Sequence, residues 1–94
     1  MDMYELLGKK SPQVIQKELG ERFKKIRKSK HITQQELSKR SLVSYGSIKL
    51  FEQTGKISLT ALLFLCDALD ILNEFEKLFT SIHRSWEEVT NENS

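Results

Sequence analysis

Two helix-start signals, Thr33 and Ser44, stand so close together that only a short helix and a short connection fit between them. Thr33-Gln34-Gln35-Glu36 reads as a capping box, with the threonine hydroxyl on the N–H of Glu36 and the glutamate bonding back to the N–H of the cap. Ser41-Leu42-Val43 then separates that helix from one beginning at Ser44, which runs to about Gln53 and stops at Thr54-Gly55. Upstream, Ser11-Pro12 is an N-cap followed by proline at the first helical position. The helix it opens ends near Lys30, with Ile15, Leu19, Phe23 and Ile26 as its apolar stripe. Downstream, Ser58 caps a helix that is apolar on most sides from Leu59 to Leu69, as a central helix would be. Leu72, Phe75, Phe79, Ile82 and Trp86 continue the helical spacing through an acidic segment of one or two helices. No long period-2 run suggests a strand, so the expected fold is all-α, with about five helices.

Charge is divided unevenly along the chain. Residues 1–56 carry 13 Lys/Arg against 6 Asp/Glu, whereas residues 57–94 carry 2 against 7. The basic part attracts polyanions; the same numbers also describe two solvated faces of opposite sign. The longest apolar run, Ala61 to Cys66, is far below the roughly 18 residues of a membrane span, and no basic-then-apolar leader precedes it. A single cysteine excludes an intrachain disulfide and points to the cytoplasm. Cys66 reads as an inert core thiol, and with two separated histidines neither a metal nor a cofactor is expected. Nucleophile elbows, phosphate-binding glycine loops and zinc-protease motifs are missing, which argues against an enzyme.

Two short helices joined by three residues beside a basic helix fit a helix-turn-helix, or simply a helical hairpin in a bundle. The residues decide between them. Thr33-Gln34-Gln35-Glu36-Leu37-Ser38, Leu42-Val43-Ser44, Ser47-Ile48 and Phe51-Glu52 together resemble the Cro/phage-repressor (Xre-type) DNA-binding domains, over about Leu19 to Leu69. The stretch Phe51 to Leu59 is also similar to small regulators encoded beside HipA-like kinase toxins. The resemblance implies a lambda-repressor-like bundle whose second and third predicted helices form the helix-turn-helix. It implies a transcriptional regulator, normally a repressor, binding operator DNA as a dimer. An antitoxin-like module that binds a toxin protein and autoregulates its operon is the alternative.

A helical wheel on the third predicted helix turns Ile48, Phe51, Ser44 and Glu52 inward and Gly46, Lys49, Leu50 and Gln53 outward, with Tyr45 and Ser47 on the shoulders. In a helix-turn-helix protein the outward face enters the major groove. Tyr45, Gly46, Ser47, Lys49 and Leu50 are therefore the expected base-contacting set. Lys49 suits guanine O6 or N7, Ser47 several bases, and Leu50 a thymine methyl. The resemblance implies phosphate contacts at Lys24, Gln34, Ser44 and Lys56, with Tyr45 a further candidate, and the free N–H groups behind the Thr33 cap add Gln35. The resemblance also pairs Glu52 with Arg27. It favours glycine at the positions of His31 and Leu42, so Leu42 implies either a strained left-handed residue or a different turn.

The expected organisation is an arm over 1–12, the DNA-binding domain over 13–72, an acidic helical segment over 73–90 and a disordered tail over 91–94. In that segment Phe75 and Phe79 are expected on the chain's own core. Ile82, Trp86 and Val89 are left for a second copy or a toxin, and Met3, Tyr4, Leu6 and Leu7 could add an arm to the same interface.

Overall fold

The computed structural model describes residues 2–82, which are helical with no strand among them. The order is α1 (Met3–Leu6), α2 (Pro12–Ser29), α3 (Gln34–Ser41), α4 (Tyr45–Thr54), α5 (Leu59–Ala68) and α6 (Asn73–Glu76), followed by a 3-10 turn over Thr80–Ile82. The single turn α1 precedes the helices read from the sequence, so the helix-turn-helix pair is α3 and α4. Side chains of Asp2, Ser11, Thr33, Ser44 and Ser58 cap the first five helices, each accepting from a backbone N–H three residues on. At Thr33 the reciprocal half of the box differs from expectation. Glu36 meets the threonine hydroxyl at 3.3 Å rather than the cap's backbone N–H.

Phe23, Leu37, Ile48, Phe51, Leu65 and Leu69 form the centre of the core, closed by Ile32, Val43, Leu62 and Cys66. The Phe23 and Phe51 rings meet edge to face, their centroids 5.3 Å apart, where α2 crosses α4. Two glycines make that crossing close. Gly20 faces the Phe51 carbonyl and the Gly55 backbone, and Gly55, at φ 81°, faces the Gln16 carbonyl.

Three expectations about packing are corrected. On α2 the buried face is Gly20, Phe23 and Arg27, whereas Ile15, Leu19 and Ile26 remain exposed. The apolar stripe is offset from the packed face because a glycine and an arginine, neither marked by hydrophobicity, make the contact with α4. Helix α5 is not enclosed: Leu59 and Phe64 face outward while Leu62, Leu65 and Cys66 face the core. The stripe beginning at Leu72 is interrupted, and what is corrected there is the place of Phe79. Helix α6 ends after Glu76, and Phe79 adopts φ 69°, which a helix cannot pass through. Phe75 packs on the core, but Phe79 is 74 % exposed.

Candidate nucleic-acid interface

The turn between α3 and α4 is fixed by its own serines. The Ser38 hydroxyl donates to the Val43 carbonyl at 2.7 Å, and the Val43 N–H donates to Ser41 Oγ at 3.1 Å. Between them Leu42 takes the left-handed conformation, φ 63°, with its N–H on the Ser38 carbonyl. Its side chain is 90 % exposed, so the strain is relieved by no packing of leucine. His31 likewise has φ 58°, just beyond the end of α2.

Helix α4 is held from two sides through Glu52. Arg27 of α2 donates from Nε to Oε2 at 2.7 Å and from Nη2 to Oε1 at 2.9 Å. Its remaining Nη1 donates to the Ile32 carbonyl at 2.7 Å. Gln34, the first residue of α3, donates from Nε2 to Glu52 Oε1 at 2.9 Å. Both partners of the ion pair are buried, and no buried side-chain nitrogen or oxygen among the described residues is left without a partner. A bidentate pair of this kind fixes orientation, because each nitrogen of the guanidinium and both carboxylate oxygens hold at least one hydrogen bond.

The outward face of α4 begins at its cap. Tyr45, Gly46, Lys49 and Leu50 are exposed and Ser47 is half-buried. The Lys49 ammonium lies 5.3 Å from the centre of the Tyr45 ring, a cation–π arrangement that holds both side chains together on this face. No side chain or backbone stands near a β-carbon placed on Gly46. Ser44 donates its hydroxyl proton to Ser47 Oγ at 2.8 Å and accepts the Ser47 N–H at 3.1 Å. One hydroxyl proton of the two serines fills this contact and the other is left to point outward, with the cap on the Ser47 N–H kept in either case. Gln53 is exposed one turn beyond Lys49. It shares the outward face of the wheel and lies outside the expected base-contacting set, although its amide is the longest polar group there besides Lys49.

Around this face, Lys24, Gln35 and Lys56 are exposed and Gln34 is half-buried. Gln34 commits one amide hydrogen to Glu52 and retains a second. The first N–H groups of α3 and α4, at Gln34, Gln35, Tyr45 and Gly46, have no carbonyl within their own helix to bond. With the positive ends of both helices they offer donors to an anion. Of the residues assigned to a protein interface, Ile82 ends the 3-10 turn. Trp86, Val89 and residues 91–94 lie outside the described residues.

An all-helical bundle with two capped helices about a tight turn, the second presenting an exposed face at its amino end, defines a helix-turn-helix DNA-binding domain. The family model of the Cro/C1-type HTH DNA-binding domain matches residues 22–72, from the middle of α2 to just before α6, and the chain belongs to that family. Comparison with curated proteins and with solved structures finds no match. No helix among the described residues is long and apolar enough to cross a membrane.

Proposed function

We propose that the protein is a sequence-specific regulator of transcription, a cytoplasmic repressor that binds double-stranded operator DNA as a homodimer. Helix α4 enters the major groove, with Tyr45, Gly46, Ser47, Lys49 and Leu50 toward the bases. Lys24, Gln34, Gln35, Ser44 and Lys56 hold the phosphates, and Ile82, Trp86 and Val89 join the copies. The observation that carries this reading is the Arg27–Glu52–Gln34 network. It fixes the helix whose exposed face is free of intramolecular packing to the helix whose amino end offers phosphate donors.

A second reading has a specific observation behind it. Phe64, Leu78 and Phe79 expose apolar surface, which suits a module that also binds a partner protein, as an antitoxin binds its toxin. The two readings separate in one titration. Fluorescence anisotropy of the chain on its own upstream DNA and on a scrambled duplex, from 50 to 200 mM salt, tests both the electrostatic and the specific component. The regulator reading expects steep weakening with salt and a gap of about 10³-fold or more between the duplexes. Salt-sensitive binding without a gap favours the partner-protein reading.

A further inference from the structure

Helix α1 is well formed and, among the described residues, unpartnered. Asp2 caps it, accepting the Glu5 N–H at 2.9 Å, and Gly8, at φ 67°, closes its carboxyl end. A single turn is not stable in water by itself. Yet no residue of α1 is buried, and Met3, Leu6 and Leu7 are 71 %, 69 % and 61 % exposed. Elsewhere the exposed apolar residues of α2 border a groove of about 340 Å³ between α2 and α6. Leu19, Ile26, Ile71 and Phe75 line it, with Arg22 on one wall and Glu74 on the other. Each feature lacks what the other supplies: a helical turn of large apolar side chains, and an apolar groove wide enough to receive them.

The geometry points to an exchange between two copies, in which α1 of each copy lies in the α2–α6 groove of the other. This rests on the dimeric reading above. The connection between α1 and α2 argues for a second copy over the chain's own groove. The Lys9 N–H donates to the Tyr4 carbonyl at 2.8 Å, Lys10 Nζ reaches both carboxylate oxygens of Glu18 at 2.8 Å, and Ser11 caps α2. With this connection in place α1 has no buried residue, so it does not occupy its own chain's groove. Opposite charges are available on both sides: Asp2 and Glu5 at α1 with Lys9 after it, and Arg22 and Glu74 at the groove. Reciprocal docking is isologous, so it closes at two copies and leaves no free end to polymerise.

Sedimentation of the full chain and of the doubly substituted Leu6→Glu/Leu7→Glu chain tests the exchange, since both side chains are exposed and the fold does not depend on them. The expected result is a dimer whose dissociation constant rises at least tenfold on substitution. A dimer unchanged by the substitution overturns the exchange and leaves the dimeric reading standing; a chain monomeric at every concentration overturns both. Mixing a Leu6→Cys chain with a size-tagged Ile26→Cys chain under oxidation gives a second readout. The expected product is a reducible heterodimer of the two chains. If that heterodimer is absent, or if a chain carrying both cysteines closes only on itself at monomer mass, α1 does not dock on a second copy.

Discussion

Gly20 of α2 lies so close to the Phe51 carbonyl of α4 that a β-carbon at Gly20 would overlap the oxygen, with the Gly55 nitrogen, itself bonded to that carbonyl, 3.2 Å away. Both neighbours are backbone and neither can swing aside. The position sets how deeply α4 seats in the bundle.

Gly20→Ala is therefore expected to destabilise the domain by about 1–3 kcal/mol, the usual cost of overpacking. The better helix propensity of alanine, worth up to about 1 kcal/mol, works in the opposite direction and is too small to offset it. A lower urea midpoint with an unchanged slope checks this, and an unchanged or higher midpoint contradicts it.

Removing the Arg27 side chain as Arg27→Ala leaves the Glu52 carboxylate buried with only Gln34 as donor. The expected loss is about 3–5 kcal/mol, while the double replacement Arg27→Met/Glu52→Leu is expected to recover most of it. Chemical denaturation of the three chains measures the recovery. If the single and double replacements are equally unstable, the pair itself stabilises the domain and the loss is not that of an orphaned charge.

At the turn, Leu42→Gly removes a left-handed leucine whose side chain packs against almost nothing. Relief of roughly 1–2 kcal/mol of backbone strain is partly cancelled by the greater freedom of glycine in the unfolded chain. A net gain of about 0.5–1 kcal/mol is expected, seen as a rise in melting temperature with DNA affinity unchanged.

Lys49 and Lys56 are expected to fail in different ways when changed to alanine. Lys56→Ala should weaken all duplexes about equally and reduce the salt slope by about one, the signature of one lost phosphate contact. Lys49→Ala should narrow the gap between operator and scrambled DNA by about 1–3 kcal/mol. Equal losses on both duplexes for Lys49→Ala would remove it from the base-contacting set.

Burial pushes the Cys66 thiol up from 9.0 to about 11, with Glu74 adding a smaller push in the same direction. The folded chain therefore holds its proton more tightly than the unfolded chain. The stabilisation is complete below about pH 9 and is lost as the pH rises through 11, roughly 2 kcal/mol in all. Comparing urea midpoints at pH 8.5 and 10.5 for the native chain and Cys66→Ala isolates this loss from that of the lysines. The thiol should also resist a disulfide reagent until the chain unfolds.

Helix boundaries were legible because they are written in single residues: serine, threonine and proline at the starts and Gly55 at a stop. The inward turn of Glu52 was legible too, since a wheel needs only the helical repeat. The packed face of α2 was not. Gly20 and Arg27 carry that contact through close approach and paired charge, and neither leaves a hydrophobic signal. The break at Phe79 was equally hidden, because an aromatic at regular spacing gives no sign that its backbone will turn left-handed. At the interface, the wheel found which side chains face outward but not their partners. Ser44 is engaged with Ser47 and Lys49 with Tyr45 through local contacts that only coordinates disclose.

Gly46 sits on the exposed face of α4 with open space where a side chain would be. It lies in an ordinary helical conformation, so new side chains there meet no steric obstacle and improve the local helix by up to about 1 kcal/mol. Most routes to altered recognition trade stability for new chemistry. This one does not: at position 46 a new side chain adds contacts to the proposed reading face while the fold beneath it is left as stable or more so.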